Sequence, residues 1–198
     1  DVRYKSYIDE LSPYDSVNNP VGTNLPVISV NLLHDSTHAD EALRGTTYWD
    51  PYVIVETGGA DSQKVGIIGY STDESTHLGP ETEDILDVAK VVWSDDDKKT
   101  IDLKDYVLEL RNEHQVDSVV LLSHVGQKRI NAGDDALLVD TGDVKLPEVV
   151  VSGHWHTMTD TAWQPANLNY NTTVVEAASY TQYVGKLELD QSGKYVSA

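Results

Sequence analysis

The chain has 198 residues, with 33 Asp and Glu against 14 Lys and Arg, giving a formal charge of −19 with its histidines neutral. This balance opposes capture of duplex DNA or of an anionic membrane surface, both of which need clustered cations to displace counterions, and it favours cations as ligands. Cysteine is absent, which excludes thiolate metal sites, iron-sulfur clusters, thiol nucleophiles and disulfides.

The length suits one domain spanning residues 1–198, and a chain of this size buries roughly 70% of the surface its unfolded form exposes. The longest apolar runs, 118–123 and 147–152, are of strand length and fall far short of the ~18–20 residues that span a bilayer. There is no Phe and one Met, against 11 Tyr and 4 Trp, so aromatic burial falls to side chains with a polar end.

Residues 1–24 read as a loop or linker, with two prolines and three asparagines between positions 12 and 24. Strands are then expected at 25–33, 51–56, 64–70, 117–122, 148–152, 173–177 and 184–189, each rich in Val or Ile and bounded by Gly, Pro, Asn or Asp. Gly58-Gly59, between two of these runs, marks a hairpin turn. Residues 83–92 read as a weak helix with Ile85, Val88, Ala89 and Val92 on one face. The run Ser-Asp-Asp-Asp-Lys-Lys at 94–99 reads as a solvated turn between helices. A second helix is expected over 103–114: Leu103, Val107 and Leu110 share one face, and Asp102 and Asp105 lie near its amino end. A helix followed by a continuously apolar strand points to an α/β layer whose strands are buried on both faces.

The histidines concentrate the chemistry. His124 follows the apolar run 118–123, and His154 and His156 follow 149–152 through Gly153, so both groups stand at carboxyl ends of expected strands, where loops of α/β sheets converge around ligands. Gly153 allows a sharp exit from the strand, and Trp155 can pack away while the flanking imidazoles turn toward a shared centre. Such a pair chelates one metal ion or divides between two. His34 and His38 have the i, i+4 spacing of a helical metal grip. Their setting, His-Asp-Ser-Thr-His after a strand, reads as a polar loop instead. His77 reads as a loop residue, and His114 as the close of a helix, where a cation suits the dipole. Gly-x-x-x-x-Gly-Lys and Gly-x-Ser-x-Gly are both absent.

The ordered set Leu-Leu-Ser-His-Val-Gly at 121–126, Val-Ser-Gly-His-Trp-His-Thr at 151–157 and Glu-Ala-Ala-Ser-Tyr at 176–180, leading to Tyr-Val-Gly-Lys-Leu at 183–187, resembles the second half of the calcineurin-like metallophosphoesterase domain of the 5'-nucleotidase family. Residues 26–31 and 64–70 resemble strands of the same family. The resemblance implies an α/β fold, part of a four-layer α/β/β/α sandwich with mixed sheets. It also implies hydrolysis of a phosphate monoester, with a nucleotide as the indicated substrate class, at a centre of two divalent ions about 3.5–4 Å apart. By the same resemblance His124 and His154 ligate the second metal and His156 the first, with Gly153 bending the loop that aims the pair. Imidazoles suit zinc, manganese or iron alike. Family analogy further implies an extracytoplasmic location, periplasmic or secreted.

The family's Asp-x-His, Gly-Asp and Gly-Asn-His-Asp/Glu segments do not occur ahead of residue 25, and Gly133-Asp134 and Gly142-Asp143 lie between the two histidine motifs. Two expectations follow. Either a preceding polypeptide segment or chain completes the centre, or the domain is a degenerate relative that binds a metal or a partner without catalysis.

Overall fold

The computed structural model describes residues 26–58, 61–72, 86–94, 100–126, 128–131, 136–159, 172–180, 182–190 and 195–197. The stretch 1–24, Gly59, His77, residues 83–85 and most of the acidic run 94–99 lie outside the described residues. The strands are β1 (Leu32–His34), β2 (Tyr52–Glu56), β3 (Lys64–Tyr70), β4 (Leu86–Val88), β5 (Lys90–Val92), β6 (Thr100–Asp102), β7 (Ser118–Ser123), β8 (Val149–Ser152), β9 (Thr173–Val175), β10 (Glu188–Leu189) and β11 (Tyr195–Ser197). Two helices, α1 (Leu103–Asn112) and α2 (Lys128–Asn131), accompany them.

The architecture is α/β around a five-stranded mixed sheet in the order β2-β3-β7-β8-β9. β2 and β3 form the expected hairpin, antiparallel from Tyr52↔Ile68 to Glu56↔Lys64, while β3, β7, β8 and β9 run parallel. Parallel neighbours require crossovers. The chain returns from β3 to β7 by way of α1, which packs Leu103, Val107 and Leu110 against one sheet face. Each of these side chains is fully buried, which is worth about 1.5–3 kcal/mol apiece. Gly66 makes room for the helix, since a β-carbon there would stand 2.8 Å from Leu110 Cδ1. The helix ends where Gln115 turns left-handed at φ 54°, and the Val116 amide donates back to the Leu110 carbonyl. His114 therefore lies beyond the last turn, its Nε2 2.9 Å from Tyr52 Oη.

The register decides which side chains face the helix. Ile68, Leu121, Val150 and Val174 are cross-strand neighbours, and all are buried. The alternate set faces the other way and is open in part: Val55 is 43% exposed, Leu122 41% and Val151 40%, while Ser118, Val149 and Thr173 on the same face are buried.

Over 86–92, the described part of the helix expected at 83–92, the chain forms strands instead. Leu86–Val88 pairs antiparallel with β1, and Lys90–Val92 pairs parallel with β6. The β-branched Val88, Val91 and Val92 favour the strand, and the Ala89 amide between them donates to the Asn31 carbonyl. The acidic run therefore joins two strands, β5 and β6, and no helices. The strand expected at 25–33 shrinks to β1, preceded by a single bridge from Ile28 to Asp50. Asn31 accounts for the irregularity: fully buried, it gives its amide hydrogens to the Ser71 and Ala89 carbonyls and accepts from the Ser71 amide. The run 184–189 yields only the two residues of β10. Among the described residues no helix is long and apolar enough to cross a membrane.

Candidate metal centre

The carboxyl ends of β7 and β8 lie side by side, in register through Ser123↔Ser152. His124 leaves β7 there with its amide donating to the Tyr70 carbonyl at 3.0 Å, and the Gly153 amide donates to the Ser123 carbonyl at 2.9 Å. The imidazoles of His124 and His154 meet edge to face with centroids 5.2 Å apart. Two residues thirty positions apart are thus joined because adjacent parallel strands end at one level. A cleft of about 330 Å³ opens beside them, lined by Ser71, Ser123, His124, Ser152 and Gly153 among others.

Gly153 serves close approach. A β-carbon there would sit 3.1 Å from His124 Nδ1, inside ordinary contact distance. The left-handed turns fall on the histidines themselves, His154 at φ 87° and His156 at φ 57°. Such conformations cost about 1–2 kcal/mol each for residues bearing a β-carbon, and they persist only where surrounding contacts impose them. Trp155, between them, lies against Gly126, whose left-handed backbone and bare α-carbon leave space where a β-carbon would collide with the indole ring.

His156 does not join the other two rings face to face. Its imidazole packs on Tyr180, with centroids 5.1 Å apart. Among the described residues no three His, Asp or Glu side chains converge closely enough to hold a metal ion unaided. Burial first, then the neighbouring imidazoles of His154 and His156, pushes the His124 pKa below its ordinary value, with Glu176 pulling the other way. The neutral imidazole so favoured is the form that ligates metals.

Glu176, just past β9, belongs to this neighbourhood and was not singled out as a site residue from sequence. Its side chain is 97% buried, since only 3% of the residue is exposed, and Oε1 accepts the Thr157 amide at 3.0 Å. Glu176 Oε2, Ser123 Oγ and Ser152 Oγ are buried without a hydrogen-bond partner. A polar atom left orphaned in this way costs about 1–3 kcal/mol unless a water or an ion satisfies it. The sequence signal for Glu176 was its position one residue past an apolar run, the same position His124 occupies after β7.

His34 and His38 also approach each other, with rings 5.1 Å apart, but on a strand end and a turn and not on one helix face. His38 Nδ1 accepts the Asp40 amide at 3.1 Å, and Tyr48 packs on His34.

No family model matches the chain, and no curated protein does. Among solved structures the chain is similar to the sulfate thiohydrolase SoxB of Termus thermophilus, solved in complex with glycerol, at 19% sequence identity and a TM-score of 0.49. The match covers 77% of this chain and 23% of that protein, so this chain spans under a quarter of its length.

Proposed function

We propose that this chain carries part of a divalent-metal centre that hydrolyses a phosphate monoester, with a nucleotide as the substrate class. The observation that carries the reading is the meeting of His124 and His154 from separate strand ends beside an open cleft. The donor set fits a borderline divalent ion such as zinc, manganese or iron: imidazoles, with the unpartnered hydroxyls of Ser123 and Ser152 lining the same cleft as His124. His124 and His154 hold one ion, and His156 holds a second. Bound ions supply Lewis acidity at a phosphoryl oxygen and a nucleophile at neutral pH. The protein's own part is to fix the imidazoles, keep His124 neutral, and present the cleft to the ester.

Two imidazoles hold a metal ion only weakly, so a preceding polypeptide segment or a separate chain brings the carboxylate ligands that complete the centre. The open sheet face supports this reading, because Val55, Leu122 and Val151 stand exposed where a second layer would cover them. An extracytoplasmic setting accompanies it by family analogy. The second reading, a non-catalytic metal- or partner-binding domain, is favoured by the lack of three convergent ligands among the described residues.

Thermal melting with added zinc or manganese separates the possibilities. A site in this chain raises the melting temperature by mass action, and His124→Ala or His154→Ala abolishes the rise. Turnover of p-nitrophenyl phosphate should be low for the chain alone and appear when the preceding segment is supplied. No metal-induced rise in either preparation would sink both the hydrolase and the metal-binding readings.

A further inference from the structure

We infer that a cavity walled by residues 158–159 and 183–187 is a second subsite, which binds the neutral aromatic end of the ester, a nucleobase. The inference rests on the phosphoesterase reading for its purpose, but the cavity belongs to the metal-free chain.

The cavity has a volume of about 330 Å³, at the small end of the range found for organic-ligand sites. Its lining is mostly apolar, from Val151, Met158, Val175, Ala177, Tyr183 and Leu187. The sheet supplies the floor: Val151 and Val175 are cross-strand neighbours on β8 and β9, and an antiparallel bridge from Met158 to Ala177 extends it beyond β9. Further bonds hold these stretches together. The Thr159 amide donates to the Glu176 carbonyl at 2.9 Å, and the Ala178 amide to the Thr157 carbonyl at 2.9 Å. An occupant therefore meets a floor that is already formed. Two contacts join the cavity to the histidines. Val151 also lines the cleft beside His124, and Tyr180, on the stretch between Ala177 and Tyr183, rests its ring on His156 with centroids 5.1 Å apart. A ligand too large for the cleft has this cavity as its neighbour.

The wall selects among occupants by charge. Its charged residues are Glu176 and Lys186, and the Lys186 ammonium is engaged by the Glu188 carboxylate. Glu176 is 3% exposed and its Oε2 has no hydrogen-bond partner, so the wall disfavours a second anion and favours a neutral group that carries N–H donors. The phosphate is thereby excluded as the occupant, and the other end of the ester is left. The rim adds aromatic character. Tyr183 is half-exposed there, and Tyr180, three positions earlier, is 79% exposed. Tyr180 is also left-handed at φ 56°, as is Ala178. A side chain so open to water gains little from burial to offset that backbone, and strain of this kind clusters at ligand clamps. A nucleobase answers all three features: it is neutral, it bears N–H groups, and it offers a flat face for stacking on a phenol ring.

The test titrates the whole chain by NMR with adenosine, which has the base and no phosphate, in the absence of metal. The expected result is saturable binding that shifts the methyl signals of Met158 and Ala177. Tyr183→Ala should weaken it about 5–150-fold, the equivalent of one base–aromatic stack, while Tyr183→Phe keeps the parent's affinity. Ala177→Leu, at an exposed position on the cavity wall, should block binding by filling the space. Both positions are open to solvent, so all three variants should melt with the parent. The inference is overturned if Met158 and Ala177 show no saturable shift, or if Tyr183→Ala and Ala177→Leu keep the parent's affinity. Release of adenosine on adding the preceding segment would also overturn it, by making that segment the occupant. Adenosine binding in a chain whose melting temperature ignores zinc and manganese would remove the metal-centre reading and leave the subsite standing. A metal-induced rise without adenosine binding would do the reverse.

Discussion

Two buried glutamates stand at opposite ends of the same parallel sheet. Glu148, just ahead of β8, has both oxygens committed: Arg111 Nη2 reaches each at 3.1 Å, Lys145 Nζ approaches Oε1 at 2.6 Å, and the Val119 amide donates to Oε2 at 2.7 Å. Glu176, just past β9, is equally buried and has one oxygen paired and the other bare. A carboxylate whose every lone pair is spent is an architectural part. One with capacity left over, at the end of the sheet where loops and imidazoles converge, is placed for work.

The contrast breaks most visibly at Glu148. Glu148→Ala leaves Arg111 charged and largely buried with no carboxylate, and should destabilise the chain by about 3–5 kcal/mol in chemical denaturation. Glu176→Gln, which keeps an acceptor for the Thr157 amide and removes a charge whose second oxygen is unpaired, should cost much less in the same measurement. Equal behaviour of the two variants would erase the distinction.

A smaller effect sharpens the picture from the loop's far side. Gly126→Ala drives a β-carbon into the Trp155 ring from a left-handed backbone and should cost about 1–3 kcal/mol. Because Trp155 lies between His154 and His156, its displacement should perturb the ring signals of both. Unchanged His154 and His156 signals would show that the indole takes no part in holding the loop.

The smallest effect comes from a third carboxylate, on the surface. Asp143 is held well below the usual carboxylate range, at about 2, by the Lys104 ammonium 2.7 Å away and then by the Thr141 hydroxyl. Its pKa is depressed in the folded state, so its contribution to stability is present above about pH 4 and fades as the pH falls toward 2. Urea midpoints measured across that window should fall less steeply for Asp143→Asn than for the parent. The pair is exposed, and the difference should be slight.

The parallel core was legible from sequence because its strands are continuously apolar: β3 forms over 64–70 as read, and β7 and β8 lie within one residue of their expected bounds. Residues 83–92 failed because a helical spacing of Ile, Val and Ala is also a run of strand-forming residues, and pairing with β1 and β6 settled the matter from outside the segment. Asn31 shows the same limit, since its four-way bonding to Ser29, Ser71 and Ala89 is invisible in a linear reading. At the site, strand-end position alone brought His124 and His154 together, while the turn of His156 toward Tyr180 depends on left-handed backbone that residue identity does not announce. Glu176 stands in the sequence only as part of the Glu-Ala-Ala-Ser-Tyr motif, because nothing but its burial and its unpaired oxygen distinguishes it from any other glutamate that follows a strand.

The strand order has a consequence for biosynthesis. Within the run β3, β7, β8, β9, each later strand docks on the free side of the one before it, so the sheet grows outward in the direction in which the ribosome delivers it. The histidines arrive with the middle of that series, but Glu176, which binds the Thr157 amide, arrives only when the outermost strand, β9, is laid down. The hydrogen bond from the Thr157 amide to Glu176 is therefore made late in folding, and a nascent chain released before β9 would carry the loop of His154 and His156 without it.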